Sequence, residues 1–209
     1  TRCTACRGCQ VACKEWKELP VEITYQRGTH QNPPDLSAST LKLVRFSEHL
    51  VNNKVEWYFF PDQCRHCIDA PCKYVADDFG VDGAVIKDEK TGAIIFTDLT
   101  SKYSKNEFEE IKDSCPYDIP RRDEKSKKIM KCDMCIDRVN NNLLPMCVKS
   151  CPTGTMNFGD EKEMRQLANE RLAIIKKSYP KAKLLAPSDV YVLYLIVDEE
   201  MKYYQSLPN

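Results

Sequence analysis

Apolar residues along this chain come in short runs separated by long polar stretches, a pattern that predicts many small elements and no long one. Runs at 41–46 and 55–60 are rich in β-branched and aromatic residues, with Asn52-Asn53 between them as a turn, which predicts a β-hairpin. A second hairpin is predicted over 84–97, with arms 84–86 and 94–96 around the turn Lys90-Thr91-Gly92. Residues 104–114 have helical polarity, Phe108 and Ile111 standing three apart on one face. The clearest helix is predicted over 160–179. Asp160 is its N-cap, Met164, Leu167, Leu172 and Ile175 form an apolar stripe facing the core, and Pro180 ends it. Residues 189–197 read as a buried or sheet-joining strand. The longest apolar run, 190–197, is far shorter than the roughly twenty residues a membrane helix needs, so no membrane span is expected in this chain. Helical and strand signals together place the chain in the α+β class.

Composition narrows the function classes. The 31 basic and 31 acidic residues cancel, so neither a nucleic-acid-binding field nor a polyanion is indicated. The basic stretch Arg121, Arg122, Lys125, Lys127, Lys128 and Lys131 is interrupted by Asp123 and Glu124 and reads as a solvated face. There is no phosphate-binding glycine loop, dinucleotide fingerprint or Ser-His-Asp set, and hence no catalytic residue to nominate. No secretory signal opens the sequence. The first thiol is already the third residue, whereas ferredoxin-type motifs follow a short strand, so residues before Thr1 are expected.

The unusual chemistry lies in twelve cysteines. Cys3, Cys6, Cys9 and Cys13 form a Cys-x2-Cys-x2-Cys-x3-Cys run, the spacing that presents three sulfurs to one iron-sulfur cluster and the fourth to another. A structural zinc site takes two thiols from one turn and two from a distant one, which fits four such closely spaced cysteines poorly. Cysteine is also sparser here than in small disulfide scaffolds. Cys64, Cys67 and Cys72 form a second group, Cys115 precedes Pro116, and Cys132, Cys135 and Cys147 lead to Cys151-Pro152. If the crossed ligation of two-cluster ferredoxins holds, Cys3, Cys6, Cys9 and Cys151 share one cluster, and Cys13, Cys132, Cys135 and Cys147 a second. Cys64, Cys67, Cys72 and Cys115 are left for a third. Twelve thiols divide into three sets of four with none over.

The gaps carry information too. Applying the spacing of the first run backwards from Cys115 lands on Lys105, Phe108 and Ile111, and four residues past Cys72 lies Ala76. Those positions would complete a fourth cluster, but none supplies a thiolate. The expected organisation is one compact body built around one core, with two ferredoxin-like cluster-binding modules. Residues 1–13 and 116–160 form the first, with two clusters, and 64–115 the second, with one retained. Residues 14–63 are an insertion carrying the first hairpin, and 161–209 a C-terminal helix and strand extension. A chain whose only unusual chemistry is clusters, with no substrate site, is expected to move electrons along them; an emptied site in the middle of that row would break it, so this one is expected at the end away from the electron source or off the shortest route.

Trp57, Tyr58, Phe59 and Phe60 are placed to shield a cluster or simply to fill core, the commoner fate. His66 lies between Cys64 and Cys67 and either donates a hydrogen bond to a cluster or faces a loop; His30 and His49 read as surface residues.

Several stretches are familiar. The opening Arg2-Cys3-Thr4-Ala5-Cys6-Arg7-Gly8-Cys9-Gln10-Val11-Ala12-Cys13-Lys14 is one, and Cys64-Arg65-His66-Cys67-Ile68-Asp69-Ala70-Pro71-Cys72 another. Cys115-Pro116-Tyr117-Asp118-Ile119-Pro120-Arg121, Lys131-Cys132-Asp133-Met134-Cys135 and Cys151-Pro152-Thr153-Gly154 complete the set. Together they resemble the iron-sulfur (beta) subunits of molybdopterin oxidoreductases, over residues 1–160. Trp16-Lys17-Glu18-Leu19-Pro20 and Asn32-Pro33-Pro34-Asp35-Leu36 look most like the three-cluster small subunit of soluble tungsten or molybdenum formate dehydrogenases of sulfate-reducing bacteria. The resemblance implies three 4Fe-4S clusters on this chain in a heterodimer. A larger catalytic subunit would oxidise formate at a tungsten or molybdenum bis-pterin centre, and a multihaem cytochrome c would accept the electrons in the periplasm. The cytoplasm is the compartment suggested by the missing signal. The alternatives are the same wire in another molybdopterin reductase or a hydrogenase, and a zinc or disulfide binding scaffold.

Overall fold

The computed structural model describes residues 2–203. Thr1 and the last part of the expected extension, 204–209, lie outside the described residues. Six α-helices, two 3-10 turns and four two-stranded antiparallel sheets make up the described chain, a mixed architecture of ferredoxin type.

Helix α1 (Gly8–Trp16) follows the first two thiols and carries Cys9 and Cys13, and Arg7 before it is left-handed, as is Ala5. The insertion then runs without regular structure to the first hairpin, β1 (Leu43–Val51) and β2 (Lys54–Asp62), whose register pairs Leu43 with Asp62 and Val51 with Lys54. Both turn residues, Asn52 and Asn53, have positive φ, the backbone a two-residue hairpin turn requires and asparagine tolerates. The strands extend beyond the predicted runs at the tip, where Leu50, Val55 and Trp57 are exposed; Leu43, Val44 and Phe60 bury the base. Tyr58 and Phe60 pack with Tyr194, Ile196 and Tyr203, so those two aromatics are core, while Trp57 is exposed.

Helix α2 (Pro71–Asp78) has Pro71 at its first position, where a missing N–H costs nothing. The short hairpin β3 (Val85–Lys87) and β4 (Ile94–Phe96) follows where predicted. Helix α3 (Lys105–Asp113) is started by a complete capping box between Ser104 and Glu107. Its Phe108 and Ile111 pack with Ala76 and Tyr103, and the Tyr103 hydroxyl donates to the Ala76 carbonyl at 2.9 Å. Three of the four positions singled out as an emptied cluster site are thus one apolar core. The fourth, Lys105, is exposed at the helix start and takes no part.

The strand pair β5 (Arg121–Arg122) and β6 (Ile129–Met130) leads to the short helices α4 (Ile136–Val139) and α5 (Met146–Lys149), the latter packed on α1. Lys125 and Lys127 between those strands are solvated as expected, but Lys131 is buried and Arg121 is engaged by Asp35 and Asp118. Arg122 also turns inward, its Nη2 donating to the Tyr103 carbonyl at 2.8 Å, so the solvated-face reading is corrected for these three residues.

Helix α6 (Glu161–Ile175) is capped by Asp160, which accepts from Lys162 and Glu163. Its apolar stripe does not enter the core: no residue of α6 is buried, and Met164, Leu167 and Leu172 are only half-buried. Amphipathic spacing fixes which face of a helix turns inward, not how much protein covers it. The strand expected over 189–197 divides in two. Residues 194–196 form β8 (Tyr194–Ile196), paired with β7 (Lys183–Leu185), whereas Val190 bridges to Cys67. The apolar core is also divided, into three patches instead of the single core expected.

Candidate iron-sulfur centres

Each thiol-bearing loop makes a turn that its sequence, lacking glycine at the critical positions, does not advertise. His66 between Cys64 and Cys67, and Met134 and Cys135 after Cys132, are left-handed, as are Ala5 and Arg7. These turns fold the backbone around the sulfurs, so that the N–H of His66 donates to the Cys64 sulfur and that of Met134 to Cys132, each at 3.4 Å.

Cys64, Cys67, Cys72 and Cys115 line one cavity, with Arg65, Ile94, Tyr117 and Lys131 in its wall. Cys3, Cys6, Cys9 and Cys151 line a second, with Val44, Pro61, Thr153 and Met156. The remaining four lie within electrostatic reach of one another: Cys13 of Cys135 and Cys147, and Cys132 of Cys13 and Cys147. The groups also adjoin one another. Helix α1, carrying Cys9 and Cys13, packs on α5, carrying Cys147, and Cys132 packs against the apolar cluster that contains Cys64. The apolar core of Ala76, Phe108 and Ile111 includes Cys72, so it adjoins the Cys64–Cys115 group at one end of the row of groups.

All twelve cysteines are free thiols. Burial pushes Cys13, Cys67 and Cys72 up to about 12, and it also raises Cys132 well above the usual thiol range. Thiols so placed give up their protons to a metal centre and to little else. Cys151 differs: burial raises it, but the N–H groups of Met156, Thr155 and Thr153 with the Thr153 hydroxyl bring it down to about 7. Among the described residues no three His, Cys, Asp or Glu side chains converge closely enough for a single metal ion. The thiols ring a space wider than the ~2.3 Å bonds of tetrahedral zinc would draw together. Four thiols around one space suit a multi-iron cluster bound through one sulfur per iron.

The surrounding frame is polar and buried. Asp62, fully buried, binds Arg45 and Arg65 at 2.7 Å each. The Arg65 guanidinium lies 4.5 Å from the Tyr194 ring centre, 4.9 Å from Tyr117 and 5.0 Å from Phe60. This plate fixes the residue between Cys64 and His66. The same loop is gripped from outside by the C-terminal extension: Ile68 donates to Asp189, and Tyr191 and Val192 donate to His66 and Arg65. His66 is fully buried, its Nδ1 accepting from the Ile94 N–H at 3.0 Å. Solvent does not reach it, and the 189–192 loop lies against its backbone. His30 is exposed as expected, but His49 is half-buried, with Nε2 2.8 Å from the Lys202 carbonyl oxygen. Across the molecule, Lys17 binds Asp133 at 2.7 Å and Trp16 donates to Asp137, tying the start of the insertion to the Cys132–Cys135 loop.

Sequence reasoning located the thiols but missed Asp62, Lys42 and the structural part of Arg65. The readable signal was a charge inside an apolar run, Leu41-Lys42-Leu43-Val44.

A polypeptide built around thiol-lined cavities, with nothing else of chemical note, is an iron-sulfur protein, and the family described as 4Fe-4S dicluster domain matches residues 55–161. The formate dehydrogenase 2 subunit beta (cytochrome c-553) of Nitratidesulfovibrio vulgaris is 55% identical, the match covering 98% of this chain and 94% of that one. The formate dehydrogenase subunit beta of Megalodesulfovibrio gigas is 50% identical over the same shares. The nitrate-inducible formate dehydrogenase iron-sulfur subunit of Escherichia coli is 36% identical, over 99% of this chain and 69% of that one. The chain belongs to the family of formate dehydrogenase beta subunits, the non-catalytic electron-transfer subunits of an oxidoreductase complex. Such a subunit works beside a catalytic one. No helix among the described residues is long and apolar enough to cross a membrane.

Proposed function

We propose that this chain carries three 4Fe-4S clusters and conducts electrons from a larger, formate-oxidising catalytic subunit to a multihaem cytochrome c. The ligand sets are Cys3, Cys6, Cys9 and Cys151; Cys13, Cys132, Cys135 and Cys147; and Cys64, Cys67, Cys72 and Cys115. The observation that carries the reading is the lining of two separate cavities by four thiols each, with the other four gathered between them. When bound, such clusters accept and release one electron at a time with all iron positions closed by thiolate. The chain supplies the sulfurs, the N–H groups that bond to them, and burial that keeps water away.

In this reading residues 1–13 with 116–160 form one ferredoxin-like module and 64–115 a second that has lost a site. Residues 14–63 are an insertion and 161–209 a clamp over the Cys64–Cys67 loop. The donor subunit is a tungsten or molybdenum bis-pterin enzyme in a heterodimer, and the setting is periplasmic. The cytochrome c-553 in the name of the Nitratidesulfovibrio vulgaris relative supports a cytochrome as acceptor.

Elemental analysis of the complex purified without oxygen tests the proposal. About twelve irons for this chain beyond those of its partner, with one tungsten or molybdenum per complex, is the expected result. Stoichiometric zinc with little iron would overturn the cluster assignment. Iron without tungsten or molybdenum would leave the wire and remove formate as its source.

A further inference from the structure

Two lysines are buried where the rows of thiols meet. Lys42 is 2% exposed and Lys131 6% exposed. An ammonium taken out of water needs a compensating charge, and, while buried Arg138 meets only the Leu144 carbonyl and the Trp16 ring, Arg65 and the largely buried Arg45 obey that rule by meeting Asp62. The lysines do not. Among the described residues neither forms a salt bridge. Lys42 Nζ donates to the Pro61 carbonyl at 3.3 Å and to the Gln63 side-chain carbonyl; Lys131 Nζ donates to the carbonyls of Ile94 and, at 3.0 Å, Cys132. Every acceptor is neutral.

Their positions are specific. Pro61 lines the Cys3–Cys151 cavity and Gln63 adjoins Cys64, so the Lys42 ammonium stands between the first cavity and the others. Lys131 lines the Cys64–Cys115 cavity and reaches the backbone of Cys132, a member of the middle group. One lysine thus serves each junction of the row.

We infer that Lys42 and Lys131 are the internal counter-cations of three anionic redox centres, one at each junction, and that their charge sets the potentials across those junctions. This rests on the cluster reading above. Adding an electron to a thiolate-ligated cluster makes it more negative, and a fixed cation nearby favours that state, so each lysine raises the potential of the centres it faces. Removing the charge lowers it.

The test uses the intact complex purified anaerobically, with Lys42 and Lys131 replaced separately by Met, Gln and Arg. Iron content is measured first, and each centre is then followed by electron paramagnetic resonance through a redox titration. In the Met and Gln variants, the centres facing the altered residue should be at least tenfold harder to reduce, a fall of 59 mV for a one-electron couple. The Arg variants should stay within threefold of the parent. Full iron with unchanged potentials in the neutral variants would overturn the inference and leave the clusters standing. A parent complex without cluster signals would overturn the cluster reading itself. Should the neutral variants lose iron, retention by Arg alone supports the charge; loss in all three variants overturns it in favour of shape.

Discussion

Ile111→Ala is the sharpest test of the idea that a lost cluster site has become ordinary core. Ile111 is fully buried on α3 among Ala76, Phe108, Tyr103, Ile94 and Ile129. Removing three carbons forfeits about 2.4 kcal/mol of transfer free energy at ~0.8 kcal/mol per carbon. A cavity term adds to this. The walls cannot close on it easily, because α3 is held by its capping box and Tyr103 is pinned to the Ala76 carbonyl. We therefore expect about 3.5 kcal/mol, in the upper half of the usual range for such truncations. Proteins with metal centres lose them irreversibly on unfolding, so the assay is the half-life of visible cluster absorbance at a fixed elevated temperature. With about half the loss expressed in the unfolding barrier, the half-life shortens about twentyfold. Ile111→Val should shorten it about two- to threefold, and Lys105→Ala, at an exposed position, should leave it unchanged. Equal half-lives for Ile111→Ala and Lys105→Ala would refute the reasoning.

Other perturbations probe other links. Cys115→Ser should remove about four irons per chain and one paramagnetic signal, leaving the other two; loss of all iron or of none would contradict the grouping. Gly92→Ala places a methyl carbon 2.3 Å from the Tyr191 ring at a position with φ of +71°, so Tyr191 must move off the Cys64–Cys67 loop. A loss of about 2 kcal/mol in thermal stability should result, from overpacking and backbone strain together. Asp198 is held down to about 2, its partial burial outweighed by Lys202, the Glu199 N–H and Tyr58. Its contribution to stability, about 1 kcal/mol after solvent screening, is fully present above the ordinary carboxylate range and is lost as pH falls from about 4 through 2. The protection factor of the Tyr203 amide against hydrogen exchange should therefore fall between pH 4 and pH 2 in the parent and stay constant over that interval in Asp198→Asn.

Local signals gave the elements whose causes are local. Asn52-Asn53 encodes its own turn, Ser104 and Glu107 their own cap, and Asp160 the start of α6, so all three appear where predicted. Cysteine spacing placed the thiols because tight loops leave few geometries for neighbouring sulfurs. What failed depends on distant partners. The apolar stripe of α6 is visible in sequence, but its burial depends on what covers it. Residues 190–192 read as strand, yet their partner is the Cys64–Cys67 loop, more than 120 residues earlier and without strand character. Lys131 sits in a basic stretch that composition averages into a solvated face, while its own burial follows from the adjacent Cys132. The left-handed turns at His66 and Met134 escaped notice because glycine, their usual marker, is absent there.

The order of the thiol groups yields a last prediction that needs no assumption about which end meets the catalytic subunit. Helix α1, carrying Cys9, packs on α5, carrying Cys147, and Cys132 packs against the apolar cluster that contains Cys64, so the group of Cys13, Cys132, Cys135 and Cys147 is the middle of the row. The packed core of Ala76, Phe108 and Ile111 includes Cys72, has Cys67 packed against it, and contains no thiol of the other two groups. A site at such a place could be filled with side chains without interrupting the row, whereas the middle group has no substitute. Electron transfer slows steeply with distance, so a complex carrying Cys135→Ala should hold two competent centres that no longer communicate. Formate added anaerobically should reduce one of them at the parent rate and leave the other oxidised over many turnovers, although dithionite reduces both. Simultaneous reduction of both by formate would mean that a path bypasses the middle group and that the linear row is wrong.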